Sequence, residues 1–366
     1  MDMNLKSRIS KLTGRFFRVL SVVMVVMCVV ACENNLDVDR LQQEEESLLS
    51  ISIVPQTKAS GSAHGVQADD NNVQSLEIFV FKNEGADAGV LDVYKKFTAE
   101  ELKSLTNIEI QTTAGSKIIY AVANSHKDNW NGVYTLQEFK SVLSLLKDED
   151  LKSFTMVGSA NSTLQATTSV NIEISRLVAR VHLAGIKTNF AGTPYEGISL
   201  KNVKAYLINV TGDCSYADGS MNEDPLVLNQ NGLKSDDVDA CTMRGMLYDE
   251  MAQEVSDGGY NVSHYFYCYE NMLSEESGNK KFTKLVIQGD LNGTTYYYPI
   301  SINREGYGYS PENDHKGLKR NTSYSIEITI TRPGTLDPND NLNFGTATAM
   351  LDILDWVTLP VAHVGF

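Results

Sequence analysis

The sequence predicts a mainly β protein built from antiparallel β-sandwiches with a few short helices. Three observations carry that prediction. Short segments rich in Val, Ile, Tyr and Phe recur along the chain, each bounded by Gly, Asn, Asp or Ser. Helix-start signals occur at only two places, Thr98 and Thr135. The chain has 366 residues and 42% hydrophobic content, ample for packed cores and long enough for two domains.

The chain opens on Lys6, Arg8, Lys11, Arg15 and Arg18, followed by an apolar run from Val19 to Val30. A basic start, a short apolar core and a small residue form the layout of a secretory signal. The run is too short to cross the ~30 Å hydrocarbon core of a bilayer as a stable helix. Val29-Val30-Ala31-Cys32 has the form of a bacterial lipobox. Signal peptidase II would cut before Cys32, and the Cys32 thiol would carry a diacylglycerol. Cys28 is a poorer candidate because Met27 lacks the small side chain such a peptidase accepts. A plain signal peptide or a short membrane anchor is the alternative.

Removing the signal takes the net charge from −15 to −19. A chain so acidic repels nucleic acid and anionic membrane surfaces. Cys214, Cys241 and Cys268 remain. Three is odd, so no complete disulfide framework exists. One bridge with one thiol, or three buried thiols, both fit.

Glu33 to Glu46 is acidic and aperiodic and reads as a solvated tether. Ser47–Thr57 then alternates, with Leu49, Ile51 and Ile53 on one side and Ser50 and Ser52 on the other, which predicts a strand. Lys58-Ala59-Ser60-Gly61-Ser62 is a flexible junction. Further strands are expected over Gln74–Phe81, Lys117–Ala123, Val170–Ile174, Leu177–Leu183 and Val203–Val210. Others are expected over Tyr265–Tyr269, Phe282–Gly289, Thr295–Ile302, Tyr324–Thr331 and Ala347–Trp356. Asp290-Leu291-Asn292-Gly293 reads as a hairpin turn. Thr98-Ala99-Glu100-Glu101 opens a short helix. Thr135-Leu136-Gln137-Glu138 is a capping box opening a longer one, to about Lys147. A domain boundary is placed near Ser175, and no internal repeat is visible.

The six histidines lack metal-site spacing, and no nucleophile elbow, P-loop or Rossmann glycine run appears. No catalytic residue and no cofactor is assigned. Asp337, Asn339, Asp340 and Asn341 could offer oxygens to calcium, but their spacing departs from an EF-hand and a solvated loop is the simpler reading. Tyr296–Tyr298 and Tyr265–Tyr267 could form a sugar platform, although aromatic residues on half-buried strands usually pack against the sheet.

An ordered set of short segments matches a known family. It comprises the lipobox at Cys32, the first strand, Leu76–Phe81, Tyr120-Ala121-Val122-Ala123-Asn124 and Met156-Val157-Gly158-Ser159. It continues with Ser175-Arg176-Leu177-Val178-Ala179-Arg180-Val181, Tyr269-Glu270-Asn271, Lys319-Arg320-Asn321-Thr322-Ser323-Tyr324 and Trp356. In these the chain resembles the FimA-type fimbrillins, lipoprotein precursors of the type V pili of Bacteroidales. The resemblance implies two transthyretin-like sandwich domains. It implies a surface lipoprotein that a trypsin-like proteinase cuts just beyond the first strand, and a neighbour's C-terminal strand filling the groove thus opened.

Lys58-Ala59 stands where the family usually has Arg followed by Ala. A protease strict for Arg would fail at Lys58, because a point charge cannot reproduce bidentate contacts. Arg40 is the alternative site, but cutting there would leave the first strand attached. Retention of the lipid, as in an anchor subunit, is the third reading.

The expected organisation is therefore a signal over 1–31, a tether with a detachable first strand over 32–58, and sandwich domains over 59–175 and 176–366. Past Trp356, Val357, Leu359 and Val361 continue an alternation suited to a donor strand. Donor at one end and groove at the other give a non-closing contact, which generates filaments. The expected partners are other fimbrial subunits head to tail, the processing protease and the outer membrane through the lipid. A host glycan or protein is a candidate ligand. A tip adhesin and a surface glycan-binding lipoprotein are the rival functions.

Overall fold

The computed structural model describes residues 45–55, 72–102, 104–233, 245–311, 314–342 and 345–355. The first half contains β1 (Glu46–Pro55), β2 (Ser75–Lys82), β3 (Leu91–Thr98), β4 (Ile108–Thr113) and β5 (Gly115–Ala123). Helix α1 (Leu136–Ser141), β6 (Leu143–Leu145), a 3-10 turn at Leu146–Asp148, β7 (Met156–Leu164) and β8 (Thr167–Arg176) follow. The second half contains β9 (Val178–Thr188), β10 (Lys201–Ile208), β11 (Val210–Thr211), β12 (Asp213–Ser215) and β13 (Val227–Leu228). It continues with β14 (Tyr248–Glu250), β15 (His264–Tyr269), β16 (Lys284–Leu291), β17 (Thr294–Ser301), β18 (Thr322–Ile330) and β19 (Ala347–Asp355).

In the first half one sheet of order β3-β2-β5-β7-β8-β1-β4 doubles over on itself. The corner is β8, which pairs with β7 only at its end, through Ser175 and Arg176. Over most of its length it runs beside β1 instead. Gly158 sits at this corner. A Cβ there would lie 1.9 Å from the Glu173 carbonyl oxygen, so only glycine lets β7 and β8 approach so closely. The two layers enclose an aliphatic core that includes Leu49, Ile51 and Ile53 of β1, Ile78 and Val80 of β2, and Ile172 and Ile174 of β8.

The second half repeats the plan. Its layers have orders β14-β10-β16-β17 and β15-β9-β18-β19. Taken in chain order, β9, β10, β14, β15, β16, β17 and β18 occupy the places of β1, β2, β3, β4, β5, β7 and β8. Among the described strands pairing is antiparallel apart from one parallel partnership in each half, β1 with β8 and β9 with β18. The fold is thus two sandwiches of one topology, a repeat that the sequence conceals. Strand β19 is the addition, lying antiparallel along β18.

Local chemistry explains the details. Leu291 pairs with Thr294, and the two residues between them, Asn292 (φ 52°) and Gly293 (φ 82°), both adopt positive φ. That is the type I′ turn expected of Asn-Gly. The capping box at Thr135 and Glu138 forms as expected, but the helix stops at Ser141 rather than near Lys147. Leu143–Leu145 is drawn into pairing with β12, so tertiary pairing overrides helical propensity. At Thr98 a single turn forms, with Glu101 accepting from the Thr98 amide at 2.8 Å, and no helix grows from it. Strands β3, β4, β6, β7, β12, β13 and β14 lie outside the segments that the sequence marks as strands.

Candidate functional site

Strand β1 is not an edge. It lies between β4, to which it is antiparallel from Glu46↔Thr113 to Ile51↔Ile108, and β8, to which it is parallel from Leu48↔Thr167 to Pro55↔Ile174. The alternation of the sequence explains its seating. Leu49 and Ile51 are 0% exposed and Ile53 is 3% exposed, while the intervening Ser50 and Ser52 are half-buried on the other face. The Leu48 amide donates to the Ala166 carbonyl at 3.0 Å and the Ile53 amide to the Leu105 carbonyl at 2.7 Å. Burying the three side chains contributes about 1.5–3 kcal/mol each, and each ladder bond adds about 0.5–1.5 kcal/mol.

Withdrawing β1 would therefore expose two facing rows of backbone groups and a line of apolar pockets. Among the described residues strand β4 has no other ladder partner. It is tied to the other layer by one buried polar cluster. Asp92 of β3 accepts from Thr112 Oγ1 at 2.6 Å, Thr113 Oγ1 at 2.8 Å, the Thr113 amide at 3.2 Å and Lys117 Nζ at 2.8 Å. Burial alone would push the Asp92 carboxyl up, but the bonds from Lys117, Thr112 and Thr113 outweigh it and hold its pKa at about 2. No member of the cluster lies on β1. Nothing in the sequence announces it, because its residues are isolated polar positions on three different strands.

Strand β19 is the second feature of interest. Ala347, Ala349, Leu351 and Ile353 pack against the core of the second half, and Met350 faces outward at 70% exposure. The part of the C-terminal segment up to Asp355 thus packs on its own chain, against β18. Val357, Leu359 and Val361 lie outside the described residues, as do Cys32, Arg40, Lys58 and Ala59. Strand β1 ends at Pro55, three residues before Lys58.

The polar family motifs meet at the junction of the two halves. Arg176 Nη1 donates to Asn321 Oδ1 at 3.0 Å, and Arg180 Nε donates to Ser323 Oγ at 3.0 Å. The Arg320 amide donates to Glu270 Oε2 at 3.2 Å. Asn271 and Leu318 exchange backbone bonds at 2.8 and 2.9 Å. Burial raises the Glu270 carboxyl above its ordinary value and lowers the Arg320 guanidinium. These motifs hold the β8–β9 passage against the start of β18, a structural task.

The tyrosine clusters do not make one platform. Tyr298 is buried, Tyr297 packs toward Tyr206 and Val286, and Tyr267 packs against Phe154. Tyr265 stacks on His182 at 4.6 Å between ring centres. Asp337 Oδ1 accepts from the Asn339 amide at 2.8 Å, an Asx turn of a surface loop. Among the described residues no group of three or more His, Cys, Asp or Glu could hold a metal, and no helix is long and apolar enough to cross a membrane. Cys214 and Cys268 are buried free thiols, and burial pushes Cys268 up to about 12.

Comparisons with known proteins agree on one relationship. The sequence profile of the Major fimbrial subunit protein (FimA) matches residues 47–210, and that of the FimA4 pilin C-terminal domain matches residues 265–356. Major fimbrium subunit FimC of Porphyromonas gingivalis is 25% identical over 334 residues, covering 88% of this chain and 67% of its own length. Major fimbrium subunit FimA type-2 of the same organism is 21% identical over 392 residues, covering 91% of this chain and 95% of its own. The crystal structure of a fimbrilin (fimA) from Porphyromonas gingivalis W83 superposes with a TM-score of 0.62 at 17% identity, covering 85% of this chain and 98% of that one. At that identity the likeness speaks for the fold alone.

Proposed function

Since the chain belongs to the FimA-type fimbrillin family and is a subunit of a cell-surface fimbrium, we propose that it polymerises by exchanging its first strand for a neighbour's C-terminal strand. The precursor is exported as a lipoprotein acylated at Cys32. It is cut after Lys58, releasing β1 with the tether, and the segment carrying Val357, Leu359 and Val361 of another subunit enters the groove. The observation that carries this reading is the position of β1, an interior strand with three buried side chains that ends three residues before Lys58. While β1 is seated, the groove is closed to other chains and the subunit stays monomeric. Once it leaves, β4 and β8 present a two-sided template for strand addition.

The substitution of Lys for Arg at position 58 favours one alternative, an anchor subunit that escapes an Arg-specific protease and keeps its lipid. The mature N-terminus separates the two. Limited trypsin treatment of the native chain should yield a new N-terminus at Ala59 by mass spectrometry, together with oligomers by size-exclusion chromatography. Trimmed protein that remains monomeric at high concentration would rule out strand exchange as the assembly route.

A further inference from the structure

A second concavity opens at the ends of two strands in the second half, where Asn209 follows β10 and Lys284 begins β16. Its volume is about 340 Å³, and its walls carry Asn209, Gln230, Asn231, Asn279 and Asn341 around Lys284, with one further cation, Lys281, and one carboxylate, Glu276. None of its lining side chains is aromatic or aliphatic.

Lys284 is only 6% exposed. Its ammonium donates to the Asn339 carbonyl at 3.1 Å and to Asn341 Oδ1 at 3.3 Å. An ammonium carries three protons, so among the described residues one donor is left over. Among the described residues no carboxylate forms an ion pair with it; Glu276 and Asp340 act on it only through their fields, opposed by Lys281. Burial dominates and lowers the Lys284 ammonium below its ordinary value. Holding the 335–342 loop explains two hydrogen bonds but not a charge, since a neutral donor would serve without the cost of burying an unpaired cation.

We propose that this cleft binds a carboxylate-bearing saccharide, with its acid group on the Lys284 ammonium and its hydroxyls on the surrounding amides. Each Asn or Gln side chain presents a donor and an acceptor in one plane, matching hydroxyls that both donate and accept. A peptide is the poorer fit. Peptide hot spots need apolar or aromatic pockets, and both β10 and β16 are interior strands, so the cleft offers no free ladder edge. The cleft shares no residue with the β1 groove, and its test is independent of polymerisation.

The full chain is titrated by calorimetry and ligand-observed NMR with D-glucuronate, N-acetylneuraminate, glucose, acetate and N-acetyl-aspartate amide. An acidic sugar should bind at least about tenfold more tightly than glucose or acetate, a difference of about 1.4 kcal/mol. Lys284→Met should abolish that preference. Should Lys284→Met disturb the fold, as judged by its thermal melt, the exposed mouth variants Asn231→Ala and Asn279→Ala decide, because each should weaken acidic-sugar binding at least threefold. Equal binding of glucuronate and glucose, no binding of either acid sugar, or mouth variants without effect would each overturn the proposal. So would the aspartate derivative binding as tightly as glucuronate, which would assign the cleft to an acidic protein side chain.

Discussion

Asp92 and Lys117 show how much a single buried pair can hold. Their side chains are 8% and 2% exposed and lie 2.8 Å apart, in a polar cluster tying β4 to β3 and β5. Because the folded-state pKa of Asp92 is lowered, its contribution is complete above its unfolded value of 3.8 and is lost as pH falls through about 2. Asp92→Asn should therefore cost about 3–5 kcal/mol at neutral pH by leaving the buried Lys117 unpaired. It should also flatten the acid limb of the stability curve below pH ~4; urea unfolding at several pH values reads both effects. Gly158 makes a complementary case. Gly158→Ala drives a methyl against the backbone of β8 and should destabilise by at least about 1–3 kcal/mol, seen as a lower melting temperature. The sequence made Gly158 noticeable as part of Met156–Ser159, yet its reason lies in a neighbour, Glu173, that only the folded corner supplies. Arg176, Arg180 and Arg320 were likewise legible as ordered motif residues, whereas their convergence on Asn321, Ser323 and Glu270 was not.

Strands were legible where alternation or β-branched runs were strong and illegible where charge intruded. Leu91–Thr98 carries Asp92, Lys95 and Lys96 in eight residues, so nothing in its composition marks it as the partner of β2. Ile108–Thr113 does alternate, with Ile108, Ile110 and Thr112 buried, but three inward positions in six residues make a short signal. Helix α1 was legible at its cap and not at its end, because the end is set by pairing with β12, about 70 residues downstream. For β1 the sequence reading of Leu49, Ile51 and Ile53 as one inward face matches their burial. That face supplies a prediction at the level of the strand. Ile51→Ala should destabilise the uncut chain by about 2–5 kcal/mol. After trimming at Lys58 the variant and the unaltered chain should become indistinguishable in both melting temperature and assembly rate, since the altered strand is gone. A difference that persists after trimming would mean that β1 stays in place.

At the scale of the whole molecule, two sandwiches of one topology differ in what flanks them. The first carries β1, which the proposed cut at Lys58 would release, and the second carries β19, followed in sequence by Trp356 to Phe366. The sequence shows no repeat because the shared plan resides in strand order and pairing direction, which dissimilar residues can satisfy equally. A subunit with a groove at one end and a donor at the other makes a heterologous contact with itself, and such contacts grow without limit unless rotation closes them. Deleting Val357–Phe366 would remove the proposed donor and leave β19 on β18, so the shortened subunit should stay folded. Under the proposed exchange, once trimmed it should accept a neighbour's strand but be unable to give one. Mixed with trimmed full-length subunits, it should end growing filaments from one side only, and mean length by electron microscopy should fall as its fraction rises. Filament lengths independent of that fraction would show that the tail is not the donor. Closed rings from the unmixed trimmed subunit would show that the contact closes, contrary to an open stalk.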